Sequence, residues 1–443
     1  MKVQVTYTDI WKIAAPIMLG SIAQTVLNVT DTAFLARVGE TELGGSAIGG
    51  VFYFVLVMIG LALSIGAQIL IARKAGEGNK NSIGELFDHT LILLTGLGIV
   101  LFLITQFIAP PLYHYILDDK DIAEASITFI QYRGYGILFT LPALAVRALF
   151  IGIAQTRIIT YLSIITAVLN VIFDYALIFG NFGFEPLGIK GAGIATASAE
   201  IIGGIYVFAW AFYKKGLGEY LIFKFTSILK STFQKIISIS SPIVLQNFLS
   251  MGAWFIFFVI IEKIGKHELA ISNIIRACYM ILMTPVWGFS SASNSMVSNL
   301  IGQQKQEDVF ELMRKIVLLS FGVIIIPLLL FALFPEILLK LTTSDPVLIH
   351  DSLGCFYIII LASVAFSISM NLLSAVSGTG DTRSAMIIEM TNIALYLAYI
   401  YVCVMFFNAS VEVVWISEII YWVSMGIWSY IYLIKGKWKL HKV

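Results

Sequence analysis

The chain has 443 residues, of which 59% are hydrophobic and only 12% charged, with 28 Lys and Arg against 27 Asp and Glu. A soluble domain carries about 25% charged residues, so this is the composition of a polytopic membrane protein, and a net charge of +1 excludes a basic field that would gather nucleic acid. The three cysteines, Cys278, Cys355 and Cys403, stand in separate apolar runs without the close pairing of a metal site or redox motif, and are expected to pack.

The opening "MKVQVTYTDIWKIAAPIMLG" has too few leading positive charges and no small-residue cleavage site, so the first apolar run is expected to be a retained helix. Runs of about 20 residues, enough to cross about 30 Å of hydrocarbon, recur near 11–36, 46–72, 86–109, 123–150, 159–180 and 191–213. A more polar stretch with Lys214, Lys215, Lys224, Lys230 and Lys235 follows. Six further runs come near 236–262, 269–298, 313–335, 350–376, 385–407 and 411–434. The expected fold is all-α with twelve transmembrane helices: an amino-terminal lobe over 1–213, a cytoplasmic linker over 214–235 and a carboxyl-terminal lobe over 236–443. With the amino terminus inside, most Lys and Arg fall on cytoplasmic segments, from Lys2, Lys12, Arg73, Lys74 and Lys80 through the linker to Lys435, Lys437, Lys439 and Lys442. Both termini are therefore expected to be cytoplasmic, in an inner (plasma) membrane.

The first span raises the sharpest question. Pro16 removes a backbone hydrogen bond midway and Gly20 follows one turn later, which marks a bend. Gln24, Asn28 and Asp31 then form a polar stripe at i, i+4 and i+7. A carboxylate at the middle of a membrane helix costs about 2.5–3.5 kcal/mol on insertion scales, so Asp31 is expected to work. In the fifth span, Thr166, Asn170 and Asp174 make a second stripe. Both stripes must face protein or a watery cavity, and are expected to face each other. Desolvated, paired carboxylates make proton carriers, and with amide and hydroxyl oxygens they also suit sodium. The sequence leaves both open.

An offset of about 226 positions superposes the two halves, in the manner of an internal repeat. It pairs Pro16 with Pro242, Gly39 with Gly265, Glu42 with Glu268, Gly76 with Gly302, Gly152 with Gly378 and Thr156-Arg157 with Thr382-Arg383. Six spans per repeat is an even number, which implies parallel repeats about the membrane normal, two bundles facing across a cleft. The same offset sets Asp31 against Phe257, Asn170 against Tyr396 and Asp174 against Ile400, so the acid pair belongs to the first half alone. Glu200 and Glu418 correspond once a shorter outer loop is allowed for, and are expected to play a structural or shared gating part. Glu389, close to the inner end of its span, is expected to snorkel, and its neutralisation to matter little. Arg133, Arg147 and Arg276 are expected to snorkel or pair near span ends.

The stretches "PIMLGSIAQTVLNVTDTAFLARVGE", "GAQILIARKAGEGN", "NVIFDYALIFG" and "GIKGAGIATASAE" resemble the multidrug and toxic compound extrusion family over the whole chain. Within it the acid asymmetry looks like the branch named for the DNA-damage-inducible protein F. The resemblance implies that Asp31, Asn170, Asp174 and the hydroxyl of Thr196 form the coupling site for H+ or Na+, without a cofactor, and that Pro16 bends in response. Another branch of the family uses acids on the seventh and tenth helices, which are absent here from the middle of those spans.

The expected function is secondary active antiport, exporting cationic amphipathic compounds by alternating access, with Gln24, Asn28 and Glu200 along the substrate path and aromatics such as Phe54, Trp254 and Trp287 favouring cations. A monomer is expected. The rivals are a lipid-linked saccharide flippase of the same superfamily, which usually shows fourteen spans, and a membrane-embedded transferase. Neither a P-loop nor HExxH occurs, and none of His89, His114, His267, His350 or His441 stands beside an acid cluster in sequence, so no enzyme is expected.

Overall fold

In a computed structural model, residues 2–214, 216–225, 228–435 and 437–440 are described. Lys215, His441 and Lys442, cited above for charge or chemistry, lie outside them. Among the described residues twelve helices are long and apolar enough to span a bilayer, and none forms a strand. Helices are the form that lets an apolar segment satisfy its own backbone in lipid.

They are α1 Tyr7–Leu35, α2 Glu40–Glu77, α3 Lys80–Ile116, α4 Lys120–Gly152, α5 Arg157–Phe179 and α6 Gly188–Tyr213. Then come α7 Lys230–Glu262, α8 Lys266–Gly302, α9 Val309–Leu333, α10 Leu353–Gly378, α11 Thr382–Phe407 and α12 Val411–Lys435. Helix starts follow the side chains that can cap them. Asn79 accepts from the Ser82 N–H before α3, Asp119 from Asp121 and Ile122 in α4, and Asp381 from Ser384 in α11. Within α3, a π-turn at Ile104–Ile108 precedes Pro110 and Pro111, whose missing N–H groups cannot continue the regular ladder.

Two compact units emerge, one of Leu19–Ser241 and the other of Met1–Met18 with Pro242–Val443. Thus α1 passes from one unit to the other two residues after Pro16, and α7 at Pro242. The opening of α1 is held in the second unit. There Trp11 lies 6.2 Å from Phe289 between ring centroids, and the Val3 N–H donates to Asn299 Oδ1 at 3.1 Å. Gly288 lets the backbone of Met18 approach to a distance that a Cβ would block.

In the first unit, the segment before α7 is pinned by the opening turns of α3. The buried Asp88 carboxylate accepts backbone N–H bonds from Phe223 (2.7 Å), Lys224 (3.1 Å) and Phe225 (2.7 Å), and His89 Nε2 accepts from Leu229 (2.9 Å). Hydrophobic patterning alone gave no sign of this anchor.

Candidate coupling site

The site is assembled in the first unit from α1, α2, α4, α5 and α6. Asn170 and Asp174, one helical turn apart on α5, are fully buried, and Thr196 on α6 is nearly so. Asp31 on α1 lies within side-chain bonding reach of Asp174 and of Asn170, so the two polar stripes meet at these acids.

Hydrogen bonding orients the group. The Thr196 hydroxyl donates to the Ala192 carbonyl at 3.0 Å and accepts from Asn170 Nδ2 at 3.2 Å. This turns the Asn170 carbonyl oxygen away from Thr196. Asn170 Oδ1, Asp31 Oδ1 and both Asp174 oxygens are buried with no donor among the described residues. Facing carboxylates can share a hydrogen bond only if one is protonated, and four unsatisfied acceptors are costly in a low-dielectric interior. The arrangement suits a proton or a small hard cation that takes oxygen ligands. Among the described residues no cluster of three or more His, Cys, Asp or Glu is placed to hold a metal, but an Asp, Asn and Thr oxygen set is of another composition.

One turn from each of these residues the chain becomes apolar. Leu35 follows Asp31 by four residues, Ile178 follows Asp174 by four, and Ala192 and Phe129 precede Thr196 and Arg133 by four. These residues pack into a single buried cluster. It closes the site on the side of the α1–α2 and α5–α6 connections.

Beside the aspartates stands a second group that the sequence did not assemble. Glu200, one turn after Thr196 on α6, accepts from Tyr53 of α2 and from Thr140 of α4 at 3.0 Å. Arg133 of α4 lies 3.6 Å from Glu200 and 4.2 Å above the Tyr53 ring centroid. Gly136 leaves room for this arrangement, because a Cβ at that position would displace the Glu200 carboxylate. The field of Arg133 acts on both Asp31 and Asp174. The expectation that Arg133 sits near a span end is corrected: it lies fourteen residues into a 33-residue helix, and its side chain is only 12% exposed.

Glu389 is corrected as well. It does not snorkel but is buried at 5% exposure, because Gln246, Ser250 and Tyr421 supply donors within the helices. Gln24 and Asn28, by contrast, are exposed and do not join the buried group. Pro16 and Gly20 straddle the point where α1 changes units. The repeat held a usable signal for Tyr53, since it pairs with Tyr279, and Trp422 Nε1 donates both to Tyr279 (2.7 Å) and to Glu418 (3.2 Å). Nothing comparable marked Arg133, whose counterpart is Ile359.

The profile of the MatE family matches residues 16–176 and 242–411. The chain belongs to the MatE family. Its relatives include the probable multidrug resistance protein NorM of Thermotoga maritima, 26% identical over 98% of this chain and 94% of the relative. The protein of the same description from Synechocystis is 24% identical over 71% of this chain and 68% of its own. Among solved structures, an outward-facing multidrug resistance MATE family transporter of the MOP superfamily aligns with a TM-score of 0.91 at 18% identity, over 97% of this chain and 96% of the other. A MOP superfamily transporter from Pyrococcus furiosus aligns with a TM-score of 0.90 at 17% identity, over 97% and 95%. At these identities the structural likeness establishes the fold: an all-helical, multi-pass MATE-type membrane protein.

Proposed function

We propose that the protein is a secondary active multidrug exporter, driven by inward movement of H+ or Na+ bound at Asp31, Asn170, Asp174 and Thr196. The observation that carries this is the set of buried acceptor oxygens without donors at the meeting of α1 and α5. An ion entering it satisfies them, and its departure restores a costly state. One monovalent charge moving down 100 mV supplies about 2.3 kcal/mol before any concentration gradient. The multidrug resistance description of the NorM relatives supports a small-molecule substrate, and the acids favour a cationic one. The restriction of the aspartate pair to the first half supports a place in the branch named for the DNA-damage-inducible protein F. We place the protein as a monomer in the plasma membrane with both termini and the 214–235 segment cytoplasmic, in accord with its lysine distribution. Efflux of a fluorescent organic cation from proteoliposomes, with proton and sodium gradients imposed separately, tests the function and identifies the ion. Efflux under neither gradient overturns it, and translocation of a lipid-linked saccharide instead would favour a flippase.

A further inference from the structure

Glu389 lies in the unit that lacks the aspartate pair. Its Oε1 accepts from the Ser250 hydroxyl at 2.5 Å and from Tyr421, whereas Oε2 has only the Gln246 amide at 3.3 Å. These donors come from two other helices, Gln246 and Ser250 from α7 and Tyr421 from α12. Under the repeat, Glu389 corresponds to Ser163, Gln246 to Gly20 and Ser250 to Gln24, and with the offset that pairs Glu200 with Glu418, Tyr421 corresponds to Gly203. The whole group is therefore peculiar to the carboxyl-terminal half.

We propose that Glu389 is a second proton-binding site of this transporter, separate from the aspartate site and housed wholly in α7, α11 and α12. The partners decide the chemistry. Among the described residues no Lys, Arg or His pairs with Glu389, in contrast to Glu200, which has Arg133. A carboxylate held only by neutral donors has no counter-charge to keep it ionised in a membrane interior. Hydroxyls and an amide also serve as acceptors after rotation, so the same shell accommodates either charge state. The proton adds to Oε2, the oxygen with the single long bond, and the acid O–H then donates to Gln246 once its amide has turned.

The ionisable surroundings are few. Tyr421 touches Glu389 directly, and at the next remove Tyr396 of α11 packs on Tyr421 with ring centroids 5.5 Å apart and donates to Glu418 of α12 at 3.0 Å. Among the described residues, the hydrogen bonds from α7 to Glu389 come from the neutral Gln246 and Ser250, and α10, packed along α11, contains no Asp, Glu, Lys, Arg or His. Gln246 follows Pro242 by four residues, and a proline frees a backbone carbonyl and makes a helix bendable. Gain or loss of the proton at Glu389 thus changes the grip on α7 just beyond that point.

The test is infrared difference spectroscopy on the purified full-length protein in nanodiscs, stepped in pH, with carboxyl-13C glutamate or aspartate incorporated. The Asp31→Asn/Asp174→Asn background is expected to keep a titrating carboxyl-acid band that shifts with labelled glutamate. Adding Glu389→Gln removes that component, and Tyr421→Phe, which keeps the acid but deletes one donor, moves its frequency. A background with no titrating glutamate band, or one unchanged by Glu389→Gln in protein that remains monodisperse, overturns the proposal. The readout needs neither substrate nor gradient, so it stands or falls separately from the efflux assay.

Discussion

The guanidinium of Arg133 lies 4.2 Å above the ring of Tyr53 and 3.6 Å from the Glu200 carboxylate, while its Nε is buried without an acceptor. A donor is thus unsatisfied in the same helix bundle as the four unsatisfied acceptor oxygens of Asp31, Asn170 and Asp174. Removing one member of a buried pair strands the other charge, at a cost of about 3–5 kcal/mol. Arg133→Gln should therefore lower the unfolding midpoint strongly and abolish efflux. Arg133→Gln/Glu200→Gln, with both charges gone, should recover much of the stability. Thermal unfolding of Arg133→Gln, Glu200→Gln and the double variant beside the parent checks this, and additive losses would show that the pair is not coupled.

Asp31→Asn and Asp174→Asn should each abolish gradient-driven efflux while the protein still expresses and folds. The structure sharpens the expectation for Asp174→Asn. An amide brings a donor among oxygens that have none, so its thermal midpoint should equal or exceed that of the parent. A fall comparable to that of Arg133→Gln, measured side by side, would contradict the acceptor-only description.

The three backbone bonds to Asp88 predict a local anchor. Hydrogen bonds to charged groups contribute about 1.5–3 kcal/mol each, and water can replace part of that near a membrane face. Asp88→Ala should cost about 2–3 kcal/mol overall and accelerate amide exchange at Phe223, Lys224 and Phe225. His89→Ala should release Leu229 and leave those three protected. Hydrogen-exchange mass spectrometry resolves the two patterns.

Topology is testable in a variant whose three native cysteines are replaced. Cysteines at Lys224 and Lys120, the latter an exposed residue at the start of α4, should be labelled from opposite sides of the membrane. Labelling of both by an impermeant reagent from one side would remove the twelve-span arrangement.

Asp351 ends a short helix, Pro346–Asp351, between His350 Nδ1 at 3.1 Å and His267 Nε2 at 2.9 Å. The hydrogen bond from His350, then that from His267, holds its carboxyl below the usual value. A depressed carboxylate contributes stability above its unfolded value and loses it as pH falls through the folded one. A spin label at the exposed Val347 should therefore become more mobile on acidification through that range. Asp351→Asn should remove this response.

The sequence by itself determined the membrane class, the number of spans and the presence of two intramembrane acids, Asp31 and Asp174, in the first half. Hydrophobic length and the price of a carboxylate in lipid are local properties, and Asp31 and Asp174 stand out in any apolar run. The offset repeat showed that their partners in the second half, Phe257 and Ile400, are apolar. Which acids are paired, and with what, was decided only by tertiary structure. Glu200 and Glu389 look alike along the chain, yet α4 brings Arg133 to the first, and α7 and α12 bring only neutral donors to the second. The meeting of helices far apart in sequence is set by packing of whole faces, such as the cluster of Leu35, Phe129, Ile178 and Ala192. No spacing within one helix records which residue of another will stand opposite.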